Sequence, residues 1–147
     1  MVCIVSNPST FDFIYGPIDI EKLKQVKDSP KKRNQVVYIG RNSFEKGIDV
    51  LKEAESLIKA KIVYCTDLEW IDAMSILKSS EILIVPSRID NIPNVIKEAL
   101  FLKTLIIGTD IEGISEVISN NLNGILVPVE DPQKLANTVN QTLQNSE

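Results

Sequence analysis

Apolar positions along the 147-residue chain switch between two periods. Short, nearly continuous apolar runs fall at residues 35–39, 61–65, 82–85, 104–107 and 124–127. Their length and their Val/Ile content predict strands buried on both faces. Residues 1–6 read as a further strand at the start. Between the runs the apolar spacing becomes three and four, the helical pattern. Ile48, Leu51, Ala54 and Ile58 share one face of a helix expected over about 46–59. Trp70, Met74 and Leu77 do the same over 69–78. Val95, Ala99 and Leu102 mark a helix that starts near Pro93, whose fixed φ suits a first turn. Leu135, Val139 and Leu143 mark a last helix, opened by Asp131 as cap and Pro132 in the first turn. Shorter helices are expected over 20–26 and 113–119. Turn formers dominate 7–19, and 27–34 is polar, so both read as connections. Strands separated by helices imply one α/β domain over 1–147, with a parallel sheet between two helical layers.

Composition narrows the function. The hydrophobic fraction is 44%, the net charge −4 and the isoelectric point about 5.0. This balance carries no nucleic-acid footprint. The basic run Lys31-Lys32-Arg33 is short enough to be a solvated link. No run of 18 apolar residues is present, and the opening Met-Val-Cys-Ile-Val lacks the pattern of a signal peptide. A cytoplasmic location is expected, with peripheral membrane contact left open. Cys3 and Cys65 read as buried thiols. Histidine is absent, which removes the usual general base near neutral pH and the commonest metal ligand.

In a parallel α/β sheet, ligands collect at the carboxyl ends of the strands. After the 35–39 run come Gly40, Arg41 and then Lys46. Two cations in one strand–helix loop, beside a glycine, suit a phosphate or diphosphate; they also read as ordinary surface cations. After the 82–85 run come Asp90, Asn91, Ile92, Pro93 and Asn94, leading into the helix that carries Glu98. A strand, a polar loop and a helix N-terminus make an anion-binding corner. Asp90 reads equally as a helix cap, and Glu98 as a solvated surface residue. Gly113 opens its helix either as a third anion contact or as a tight turn.

Several segments resemble one family. Val37-Tyr-Ile-Gly-Arg41 with Glu45-Lys-Gly-Ile-Asp49 is similar to the "GR…KG…L" segment of group 1 glycosyltransferases (glycosyltransferase family 4). Val85-Pro-Ser-Arg88, followed by Asp90 to Glu98-Ala99, resembles that family's "PS…E-x7-E-A" signature. Thr109 to Ile118 resembles its "T…GG…E-hydrophobic-I" segment, and Asn123 to Pro128 with Asp131-Pro132 its "NG-LV-P…DP" ending. Tyr15-Gly-Pro-Ile-Asp19 is a weaker echo of its "NG-hydrophobic-D" motif. One segment is unspecific; four in order and spacing are not.

The resemblance implies a Rossmann-like, donor-binding carboxyl-terminal half of a GT-B enzyme. By it, Arg41 and Lys46 would hold the diphosphate of a nucleotide sugar, Glu98 the ribose hydroxyls, and Asp90 the donor sugar. Gly40, Gly113 and the backbone over Asn91, Ile92, Pro93 and Asn94 would complete the donor site. Arg41, Lys46 and Asp90 would carry a retaining transfer, without metal or other cofactor. The acceptor, a glycan, lipid or protein, would be held by a separate amino-terminal domain. The chain departs from the pattern in three places. Asp90 stands where glutamate is usual, Asn91 and Ile92 stand for a glycine and an aromatic residue, and one βα unit is missing before Trp70. These departures leave a second reading, a non-catalytic sugar-nucleotide-binding or regulatory module. An unrelated α/β binding domain is a third.

Overall fold

The computed structural model describes residues 17–146. The strand expected over 1–6, Cys3 and most of the 7–19 connection lie outside the described residues, as do Tyr15 and Gly16. The five expected strands all form: β1 (Gln35–Ile39), β2 (Lys61–Cys65), β3 (Ile82–Val85), β4 (Leu105–Thr109) and β5 (Ile125–Val127). They make one parallel sheet in the order β2-β1-β3-β4-β5. The winding reverses between β1 and β3, so a crevice opens at the carboxyl ends of those two strands.

Alternate strand residues feed two cores, as the two-residue period of a strand requires. Val37, Leu83, Val85 and Ile106 face one side, and Val36, Tyr38, Ile82, Ile84 and Ile107 the other. The first core is closed by α1 (Ile20–Leu23), α3 (Trp70–Ser79) and α4 (Asn94–Phe101) through Leu23, Met74, Leu77, Ile96 and Ala99. The second is closed by α2 (Ile48–Ala54) and α5 (Pro132–Asn145) through Leu51, Ala54, Leu135 and Val139. The molecule is therefore the three-layer, Rossmann-like α/β domain expected. Leu83 is fully buried at the centre of the sheet, and truncation to alanine there costs about 2–5 kcal/mol.

Several boundaries differ from those expected. The helix expected over 113–119 is a run of turns instead. The Asn123 side chain donates to the Val117 carbonyl and accepts from the Ser119 N–H, both at 2.8 Å. The chain turns away there, with the Asn121 N–H on the Gly124 carbonyl at 2.9 Å. β4 runs two residues past expectation, because Gly108 and Thr109 pair with β5. Thr104, expected in that strand, instead donates its hydroxyl to the Leu77 carbonyl. α1 stops at Leu23, short of the expected end at 26, and α2 starts at Ile48 rather than near 46, after Gly47 in a left-handed conformation (φ 65°). Pro93 is the N-cap of α4, one position ahead of the expected first turn.

Candidate functional site

The loop after β1 is folded tightly. Tyr38 donates its hydroxyl to the Arg41 carbonyl at 2.7 Å, and the Ser43 N–H donates to the same oxygen at 3.0 Å. Burial, with the Asp90 and Asp49 charges second, pushes the Tyr38 phenol up to about 12, so it remains a donor at neutral pH. Gly40 ends the strand with its N–H on the Cys65 carbonyl. Arg41 is exposed. At Gly47 the loop crosses the end of β3: a Cβ there would lie 1.9 Å from the Pro86 carbonyl oxygen. A side chain at Gly47 is thus excluded by contact as well as by φ.

That crossing delivers Lys46 to Asp90, Nζ to Oδ2 at 2.5 Å. Ser87 donates to the same carboxylate oxygen at 3.1 Å. Ser87 is itself buried, and its carbonyl accepts from the Thr109 hydroxyl at the end of β4. Three strand ends therefore fix Asp90. Its carboxylate serves Lys46 and Ser87, so the helix-cap reading of Asp90 is corrected: α4 has no side-chain cap. Asn91 and Asn94 are exposed at the α4 entrance, Ile92 is half-buried and Pro93 is buried. Gly113 packs against this loop from the far side. A Cβ on it would lie 2.4 Å from the Asp90 carbonyl oxygen and 2.9 Å from the Asn91 carbonyl carbon. An open cleft of about 520 Å³ lies here, lined by Asp90, Asn91, Ile92 and Gly113 among others.

Glu98 lies one turn beyond Asn94 on α4 and is half-buried. Its Oε1 accepts from the Trp70 indole N–H at 2.8 Å, so it is not the solvated surface residue that the sequence also allowed. The structure thus brings Lys46, Asp90, Asn91, Ile92, Pro93, Asn94 and Gly113 to one corner. Of the candidates, Asp90, Asn91, Ile92 and Gly113 line the cleft, together with Glu112 and Glu116, whereas Arg41, Lys46, Pro93, Asn94 and Glu98 lie outside its lining. Among the described residues no group of three His, Cys, Asp or Glu side chains is placed to hold a metal ion.

Two residues carry more than sequence reasoning assigned them. Arg88 grips Asp49 with both terminal nitrogens at 2.8 Å, gives Nε to Glu130 at 2.7 Å, and donates to the Phe44 carbonyl. Its guanidinium also covers the Phe44 ring at 3.9 Å. These bonds hold the Asp49 carboxyl below the usual carboxylate range and push Arg88 higher still. With the Arg88 and Ile89 N–H groups on the Glu45 carbonyl, they lock the β1 loop to the β3 loop. Trp70 is the second, since its N–H fixes Glu98. The available signal was chemical: a part-buried tryptophan needs an N–H partner.

The family model of glycosyl transferases group 1 matches residues 20–145. The chain belongs to the group 1 glycosyltransferases. An uncharacterized 41.2 kDa protein in the cps region of Klebsiella pneumoniae is 25% identical over 159 residues, a match covering 90% of this chain and 43% of that protein. Anabaena HepE, solved in complex with UDP, superposes with a TM-score of 0.68 at 15% identity, over 78% of this chain and 40% of HepE. Sucrose-phosphate synthase from Thermosynechococcus elongatus gives 0.70 at 19% identity, over 86% of this chain and 40% of the synthase. The chain thus spans about two fifths of the length of these proteins. At such identities the superpositions establish the fold, the Rossmann-like domain of GT-B glycosyltransferases.

Proposed function

We propose that this glycosyltransferase domain binds the nucleoside diphosphate sugar from which a sugar is transferred. The observation that carries the reading is the corner at α4. Its N-terminus has no side-chain cap, Lys46 and Asp90 meet beside it, and Glu98 stands one turn along the helix. The unsatisfied N–H groups and the helix dipole favour an anion there. Lys46 and Arg41 add the positive charge a diphosphate needs. Asp90 meets the donor sugar, and Glu98 accepts from the ribose hydroxyls. HepE structures with UDP and with UDP-glucose support a nucleotide sugar as the ligand class.

The chemistry is leaving-group stabilisation. The bond between the anomeric carbon and the phosphate oxygen breaks, and its electron pair moves to the departing nucleoside diphosphate. Arg41, Lys46 and the α4 N–H groups receive that charge. The acceptor hydroxyl adds on the same face, retaining configuration, and gives its proton to the departing phosphate oxygen. No histidine and no metal are required. Acceptor binding falls to a second domain, in cis or in trans, which closes the cleft and excludes water.

Thermal shift and calorimetry with UDP-, GDP- and ADP-sugars in the presence of EDTA test this. At least one should raise the melting temperature by mass action. Silence from all three at millimolar concentration would sink the donor-site reading. A radiolabelled-donor assay on the 147-residue chain alone should show negligible transfer. Robust turnover would refute the need for a second domain.

A further inference from the structure

The chain has one tryptophan, Trp70, at the first position of α3. Its ring packs against the first core, and its Nε1 reaches Glu98 Oε1 on the neighbouring helix at 2.8 Å. On the ring's face lies the Lys22 ammonium of α1, 4.5 Å from the centroid. A cation over an indole withdraws electron density from it, which makes the N–H a stronger donor. One indole N–H, from α3, thus holds the Glu98 oxygen of α4, and the α1 cation acts on it only through the ring.

Glutamate has three side-chain torsions, and fixing them costs free energy that must otherwise come out of binding. A carboxylate offers about four acceptor positions over its two oxygens. One N–H on Oε1 leaves the remaining positions for two vicinal hydroxyls. We infer that Trp70 is a positioning residue for Glu98. It holds the carboxylate by the indole N–H, in the orientation that accepts the 2′- and 3′-hydroxyls of the donor ribose, with Lys22 strengthening that hold. The inference rests on the donor-site reading above and deepens it. Discrimination of ribose from 2′-deoxyribose then depends on a residue that does not touch the sugar.

The probes are UDP, GDP and ADP, each beside its 2′-deoxy counterpart, titrated by calorimetry. The unmodified chain should prefer the ribose form by roughly tenfold or more, the scale of a hydrogen bond to a charged group. Trp70→Phe keeps an aromatic ring in the core but removes the N–H. It should bring the preference to within about threefold while leaving affinity for the deoxy form nearly unchanged. Because the preference is a ratio within one variant, a partial loss of folding does not imitate this result. Lys22→Met should reduce the preference to an intermediate value. Full discrimination retained by Trp70→Phe would overturn the inference.

A ligand-free reading separates this proposal from the donor site itself. The single indole N–H gives one cross-peak in a nitrogen–proton spectrum. Glu98→Gln weakens its acceptor and should move that proton upfield. No movement would mean that the contact is absent in solution and would overturn the proposal before any nucleotide is added. If the peak moves but no nucleotide binds the unmodified chain, the donor reading fails and Trp70 serves only the fold. If nucleotides bind with no preference for ribose, the donor site stands and the assignment of Glu98 and Trp70 falls.

Discussion

Gly113→Ala is the sharpest test of how the cleft is built. The added methyl would stand 2.4 Å from the Asp90 carbonyl oxygen and 2.9 Å from the Asn91 carbonyl carbon. Ordinary contact begins near 3.4 Å, so the shortfall against the nearest atom is about 1 Å. Both nearest atoms are backbone, and no flexible side chain can swing aside to absorb it. The loop carrying Asp90 and Asn91 must therefore move, against the Lys46 and Ser87 bonds that fix Asp90. Overpacking of this kind costs about 1–3 kcal/mol. For a chain of this size that lowers Tm by roughly 2–12 °C. A shift of about 1 Å at a ligand corner can also cost about 100-fold in function. Differential scanning fluorimetry and calorimetry with the best-binding nucleotide sugar read both effects. A variant within about 1 °C of the parent and with unchanged affinity would refute the packing argument, since a methyl of ordinary size would then fit where the geometry leaves no room.

Arg41→Ala should weaken a nucleoside diphosphate far more than the matching nucleoside in paired titrations; equal losses would remove Arg41 from the diphosphate site. Arg88→Met should lower Tm at neutral pH. Because Arg88 depresses the Asp49 carboxyl, that stability is present above the ordinary aspartate value near 4 and is lost as pH falls through the depressed one. The gap between parent and variant, followed by fluorimetry, should therefore narrow in acid to what the Phe44 contacts contribute; a constant gap would contradict the ion-pair account. Tyr38→Phe should cost about 0.5–1.5 kcal/mol through the lost bond to Arg41, measured by urea unfolding. With the phenol raised to about 12, the parent's advantage should hold up to about pH 10 and fade as pH rises toward 12.

The sheet was legible because buried parallel strands are nearly continuous apolar runs, and Ile82–Val85 and Lys61–Cys65 appear at their expected bounds. The turns that replace a helix at 113–119 were not, because the contacts made there, Gly113 against the Asp90 and Asn91 backbone and Asn123 on Val117, lie outside any helical period. Candidates could be named from the sequence, Lys46 and Asp90 from their loops and Glu98 from its helix. Their partners could not. Lys46 and Asp90 are 44 positions apart, and Trp70 and Glu98 are 28, so only the folded sheet brings them together. Gly47 was visible as a glycine, yet its reason, the Pro86 carbonyl beneath it, belongs to another strand.

A crystal structure of the chain with the tightest-binding nucleotide sugar, grown in EDTA, tests the central claim most directly. The account predicts the diphosphate at the N-terminus of α4 within reach of Lys46 and Arg41, the ribose on Glu98, and the sugar beside Asp90. A nucleotide seated elsewhere on the domain, or one held at this corner with its ribose turned away from Glu98, would contradict it.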